Sequence, residues 1–210
     1  MVHTLDEIKQ DLRTQTEKQF YTKHIVRSEN WYFNEYMNKS SDEVIKISDD
    51  YRIIISDSMN VSFNSVMMVG SGKLGYSLSP PEKGEETKLF MPFNDDEKIR
   101  KISDIDIAII SSDIFHHYWD LFRKSYKLKY ESTYVHVYRG LYRGYIDERN
   151  IIEVEGCRKQ WNETARISKK RLHSELYFKH DINFRIYRSW EDFEEYNLQN
   201  IKKIKRSIEE

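Results

Sequence analysis

Asp104 and Asp106 stand at the head of a β-branched run, Ser103-Asp104-Ile105-Asp106-Ile107-Ala108-Ile109-Ile110. On a strand, residues two apart share a face and lie roughly 7 Å from each other. Two carboxylates so placed repel, and a cation between them relieves the repulsion. A hard divalent ion such as Mg²⁺ takes oxygen ligands, commonly one or two carboxylates together with the phosphates of a substrate. Without a ligand, the same two residues are solvated acids at a strand start.

A second group of residues supplies what the acids lack. Val66-Met67-Met68-Val69 is a continuous apolar run, and Gly70-Ser71-Gly72-Lys73 follows it directly. Glycines at such a turn let a polyphosphate approach the main chain, Ser71 donates a hydrogen bond, and Lys73 offsets phosphate charge. The bland alternative is a tight turn with an exposed lysine. Gly70, Gly72 and Gly75 also satisfy the dinucleotide-binding spacing, but that turn must open into a helix, and Pro80 and Pro81 follow closely. A Walker loop is excluded because Leu74, not Ser or Thr, follows Lys73. A protein kinase is excluded because no His-Arg-Asp or Asp-Phe-Gly motif is present.

The elements that must position these residues are partly legible. Thr4 with Glu7, and Ser40 with Glu43, have the spacing of capping boxes before amphipathic patterns through Leu12 and Ser58. Trp31, Tyr32, Phe33, Tyr36 and Met37 form an aromatic cluster that reads as core. Alternation at Val61, Phe63 and Ser65 leading into the apolar run predicts one strand over 61–69. Residues 74–102 read as an irregular insertion from which Lys83, Lys88, Lys98, Arg100 and Lys101 reach toward phosphates or simply face water. Ser111 or Ser112 caps a helix bearing Ile114, Phe115, Tyr118, Trp119 and Phe122. Residues 123–188 hold sixteen Lys or Arg against eight Asp or Glu, interleaved with tyrosines. That stretch predicts a strand-rich part with a basic face, suited to the phosphates and bases of RNA. The remainder, 189–210, reads as a closing helix, and 1–210 as a single domain whose first sixty residues are helical.

Composition sets the outer bounds. The 210 residues carry 34 Lys plus Arg against 35 Asp plus Glu, so net charge −1 gives no whole-chain pull toward nucleic acid or membrane. Cys157 is the sole cysteine, which excludes an intrachain disulfide and a multi-cysteine metal site. The acidic, amphipathic start and the absence of a long apolar run predict a cytoplasmic protein without membrane spans.

Strand, Gly70-Ser71, then strand with Asp104-Ile105-Asp106-Ile107-Ala108 resembles the signature of the nucleotidyltransferase superfamily of the DNA polymerase beta type. The resemblance covers residues 61–122 well and the rest loosely. It implies an α+β fold, with a mixed β-sheet flanked by helices. It further implies two Mg²⁺ ions, with Mn²⁺ the alternative, and a nucleoside triphosphate whose monophosphate passes to a hydroxyl of RNA, protein or a nucleotide. Asp104 and Asp106 would be metal ligands and catalytic, and Gly70, Ser71, Gly72 and Lys73 would bind the triphosphate. The third acid of the family's metal site matches Asp181, which heads Ile182-Asn183-Phe184; Glu153 and Glu155 compete for that role. Arg185 and Arg188, near Asp181, would face the triphosphate, and His116, His117 and His180 would be structural. Bacterial relatives of this superfamily include toxin–antitoxin members and signal-nucleotide synthases used against phage. Gly72 and Asp104 stand thirty-two positions apart, more than the family's usual link. Two alternatives remain open: a binding module that has lost turnover and acts as an antitoxin or regulator, and dinucleotide binding at Gly70–Gly75.

Overall fold

The computed structural model describes residues 2–80 and 87–209. Pro81, Lys83 and Gly84 lie outside the described residues. The fold is α+β, a four-stranded mixed sheet with flanking helices. The strands are β1 (Val66–Val69), β2 (Ile105–Ile110), β3 (Tyr145–Asp147) and β4 (Ile182–Tyr187), in the order β1-β2-β4-β3. β3 and β4 are antiparallel, with Ile146 opposite Ile186 and Asp147 opposite Arg185. The Ser111 amide donates to the Tyr187 carbonyl at 2.9 Å, so the C-terminal ends of β2 and β4 adjoin and these two strands run parallel. Among the described residues no helix is long and apolar enough to cross a membrane.

The chain divides into two compact units, 1–46 with 68–106 and 194–210, and 47–67 with 107–193. In the first, α1 (Leu5–Thr14) begins at the capping box of Thr4 and Glu7, and buries Ile8 and Leu12. Thr16 and Gln19 make a second box ahead of α2 (Glu17–Phe20). The chain then widens into two π-helical segments, Tyr21–Val26 and Tyr32–Tyr36. Tyr32 and Phe33 of the second segment are fully buried, and Tyr32 stacks on Tyr36 at 4.9 Å, which explains the sequence cluster as core. α4 (Gly70–Leu74) and most of α9 (Trp190–Glu209) belong to the same unit.

The second unit takes most of α3 (Ser41–Met59) and is built around β3, β4 and the greater part of β2. Ser111 caps α5 (Ser112–Lys124) by accepting from the Ile114 amide at 3.2 Å. Phe115, Tyr118 and Phe122 of α5 are buried, while Trp119 stays 40% exposed. α6 (Glu131–Tyr142), α7 (Glu148–Glu153) and α8 (Glu155–Glu175) follow. Trp161 of α8 packs edge-on to Tyr118 at 5.4 Å and to Phe184 of β4 at 5.9 Å.

Two sequence expectations change here. The strand expected over 61–69 is confined to 66–69, because Phe63–Ser65 winds into a 3-10 turn closed by the Ser65 amide on the Ser62 carbonyl. Residues 123–188 are mainly helical. Thr133, Val137 and Gly140 are the buried positions of α6, a helical period that overrides the β propensity of its tyrosines and valines.

Candidate functional site

The glycine turn and the aspartate pair both belong to the first unit, and they meet. β1 ends at Val69, and Gly70 turns the chain with φ +67°, a conformation that favours glycine. α4 opens at once, where the sequence reads as a turn, and closes after one turn at Gly75, whose φ is +80° and whose amide donates to the Ser71 carbonyl. A Cβ on Gly70 would stand 2.7 Å from Asp106 Oδ2. A Cβ on Gly75 would collide with the Trp31 indole at 2.7 Å. Gly72 has ordinary space, since its Cβ would lie 3.6 Å from Met68 Sδ. Thus Gly70 faces the acid and Gly75 faces the aromatic core.

Asp106 is half-buried within β2, between Ile105 and Ile107, which are wholly buried. Asp104 is half-buried and immediately precedes the strand. The chain reaches Asp104 through a loop that Asn94 organises. The Asn94 side chain is buried, and its Nδ2 donates to the carbonyls of Asp96, Arg100 and Lys101 at 3.0, 3.0 and 3.2 Å. Its amide donates to Ser103 Oγ at 2.9 Å, and the Ser103 amide returns a bond to the Asn94 carbonyl. Sequence reading missed Asn94; the available signal was an asparagine at the start of a charged, turn-forming run. Lys88, Lys98 and Lys101 are exposed, and Arg100 donates to the Pro92 carbonyl.

Ser71 is half-buried on α4. Lys73 is 6% exposed and its Nζ donates to the Ser28 carbonyl at 2.7 Å, a contact that ties the turn to the segment after the first π-helix. The lysine expected to meet phosphate here holds the turn in place.

Asp181 and Arg185 belong to the second unit. Asp181 is exposed and immediately precedes β4. Arg185 donates to Asp147 Oδ2 at 2.9 Å and lies over the Tyr145 ring at 5.1 Å. Arg149 grips the same carboxylate through Nε and Nη2, each at 3.0 Å. Burial pushes the Asp147 carboxyl up, but the two guanidinium groups win and hold it at about 2. Glu153 and Glu155 are helical, at the end of α7 and the start of α8, and Glu153 accepts from Thr133 Oγ1 at 2.6 Å. Ile151 and Val154, three apart and fully buried, give that stretch its helical period. His116 and His117 are exposed on α5, with His117 Nε2 2.9 Å from Gln160 Oε1, while His180 is buried.

The donor set fits a hard cation in part. Asp104 and Asp106 offer carboxylate oxygens, and the missing Cβ of Gly70 leaves space at Asp106 Oδ2. Among the described residues no group of three or more His, Cys, Asp or Glu side chains is placed to hold a metal ion. A cation at this pair would therefore draw its remaining ligands from a substrate or water. No protein-family model, no curated protein and no solved structure matches the chain.

Proposed function

We propose that the chain is a nucleotidyltransferase that moves a nucleoside monophosphate from a nucleoside triphosphate to a hydroxyl acceptor. The observation that carries this reading is the approach of Gly70 to Asp106: a strand-end glycine turn with Ser71 beside it abuts one acid of an Asp-x-Asp pair.

In this reading, Asp104 and Asp106 hold a divalent cation, Mg²⁺ or Mn²⁺. Such an ion, when bound there, would neutralise phosphate charge and lower the pKa of the acceptor hydroxyl. The main chain at Gly70 and Gly72 and the Ser71 hydroxyl take the phosphate oxygens. Asn94 holds the loop that leads to Asp104, and Lys73 anchors the glycine turn on the Ser28 carbonyl. The resemblance assigns the third acid to Asp181, which belongs to the second unit. RNA, protein and nucleotide hydroxyls are the acceptor classes, and the resemblance implies a setting in bacterial toxin–antitoxin or phage defence.

The second reading is a nucleotide-binding module without turnover, favoured by the absence of a three-group ligand cluster among the described residues. Incubation with each α-³²P nucleoside triphosphate, Mg²⁺, total RNA and cell protein separates the two. Label on a macromolecule with pyrophosphate release, lost in Asp104→Asn and Asp106→Asn, supports transfer. Mg²⁺-dependent thermal stabilisation by a triphosphate without pyrophosphate release supports the binding module. Label that persists in both variants overturns the mechanism.

A further inference from the structure

On α6, in the second unit, the residues turned away from the core are aromatic as well as basic. Thr133, Val137 and Gly140 are its buried positions, and Val135, Tyr138 and Tyr142 are 46%, 70% and 86% exposed. Their spacing of three and four residues makes them one stripe on the outer side of the helix. Arg139 adjoins the stripe, is exposed and, among the described residues, has no carboxylate partner. A lone exposed ring is ordinary; here rings and cation share one face.

The carboxylates nearest to that face are engaged elsewhere. α6 packs on α7, β3 and the 3-10 turn Leu128–Tyr130. Of the acids those elements carry, Glu148 is buried, Asp147 is held by Arg149 and Arg185, and Glu153 accepts from Thr133 Oγ1. Glu155, at the start of α8, pairs with Lys129 at 3.8 Å. No Asp or Glu occurs over 132–146, and Glu131 sits in the first turn of α6, where the helix amides face it. Arg139, with Arg143 at the C-terminal cap, therefore leaves the outer face positive.

Size and charge together select the occupant. A tyrosine offers about 150–250 Å² at most, so three side chains fall well short of the roughly 800 Å² per partner that a stable protein complex buries. A nucleobase needs only one ring to stack on, and arginine takes the phosphates between bases. Tyr138 and Tyr142 lie about 6 Å apart along the helix axis, so each can hold one base of the same strand. In a duplex the base faces are stacked on one another and closed to such rings.

We infer that the outer face of α6 binds a single-stranded nucleic acid, with one base on Tyr138, a neighbouring base on Tyr142 and a phosphate between them on Arg139. The face uses no residue of the glycine turn or the aspartate pair, and strand binding requires no transfer, so it stands or falls independently of the transferase reading.

The test is the fluorescence anisotropy of end-labelled twelve-nucleotide oligouridylate and oligothymidylate with the full chain, in EDTA and without triphosphate. Both strands should bind, and more weakly as salt rises; tighter binding of the ribo strand assigns RNA through its 2′-hydroxyls, and tighter binding of the deoxy strand assigns DNA. Tyr138→Ala and Tyr142→Ala should each weaken binding by about tenfold, whereas Tyr138→Phe and Tyr142→Phe, which keep the ring, should stay within about twofold of wild type. Arg139→Ala should reduce the slope of log affinity against log salt by about 0.7. All three positions are exposed, so urea midpoints of the variants should match wild type. The inference is overturned if neither strand binds, if the two Tyr→Ala variants bind as tightly as wild type, or if an RNA duplex of the same length binds as tightly as the single strand.

Discussion

Gly70 and Asp106 stand so close that a single Cβ on the glycine would come within 2.7 Å of Asp106 Oδ2. The contact joins residues thirty-six positions apart and makes the glycine a condition of the acid's placement. It also separates two glycines that the sequence presents as equals.

Gly70→Ala must adopt φ near +67° and displace Asp106, so it should cost about 2 kcal/mol in urea unfolding, from left-handed strain plus the clash. It should also abolish triphosphate-dependent stabilisation. Gly72→Ala meets Met68 Sδ at 3.6 Å and Ile105 Cγ2 at 3.8 Å, ordinary contacts inside a helical turn. It should change stability by about 0.5 kcal/mol or less. Equal effects of the two substitutions would remove the special role of Gly70.

Asn94 gives a sharper contrast, because its amide group donates to three carbonyls and a carboxylate cannot. Asn94→Ala should cost about 1–3 kcal/mol through the unsatisfied carbonyls. Asn94→Asp, nearly the same size, should be worse, since a negative charge would face the same three oxygens. Limited trypsin digestion reads the loop directly: cleavage at Lys98, Arg100 and Lys101 should rise in both variants, most in Asn94→Asp.

What the sequence made legible was local. The boxes at Thr4 with Glu7 and Ser40 with Glu43, the cap at Ser111 and the run through Ile110 each involve residues within a few positions. What it hid was cooperative. Phe63–Ser65 alternates like a strand but closes a turn on Ser62, and Ile151 to Glu155 looks β-branched while Asp147 caps a helix through the Arg149 amide. At the site, the residue types and the strand before the glycines were readable. The Gly70–Asp106 approach, the Asn94 hub and the use of Lys73 on Ser28 all depend on contacts between segments distant in sequence.

In the second unit, Glu148 is a buried acceptor that no motif announces. It is 4% exposed and accepts from Trp161 Nε1 at 2.7 Å, Lys169 Nζ at 2.7 Å and the Phe184 amide at 2.8 Å. Glu148→Ala strands two buried donors and one cation, and should destabilise by about 3–5 kcal/mol. Glu163→Ala, exposed on α8, should stay within about 0.5 kcal/mol. Urea midpoints of the two variants check this, and a mild effect at Glu148 would mean the three donors find water.

The Asp11–His24 pair should make stability depend on pH in a direction the geometry fixes. His24 is fully buried, and its Nε2 donates to Asp11 Oδ2 at 2.7 Å. Burial lowers its pKa, the nearby His3 and Lys23 lower it further, and Asp11 opposes them without prevailing. The unfolded chain, with an ordinary histidine near 6.5, therefore takes up a proton before the folded chain does. Stability is fully present above the unfolded value and falls as pH drops through it toward the folded one. Asp11 acts in a lower window: burial raises its carboxyl, Lys23 and His24 more than offset that, and its contribution is lost only on acidification below the usual carboxylate range. Urea midpoints at about pH 7.5 and about pH 5.5 isolate the histidine window. Wild type should lose stability between them. His24→Phe, whose ring sits beside Phe20 as the imidazole does at 4.4 Å, should lose less, with Lys23 and Gln15 still holding Asp11. Parallel losses in the two proteins would show that His24 is protonated equally in the folded and unfolded chains, and would remove burial as the force on its proton.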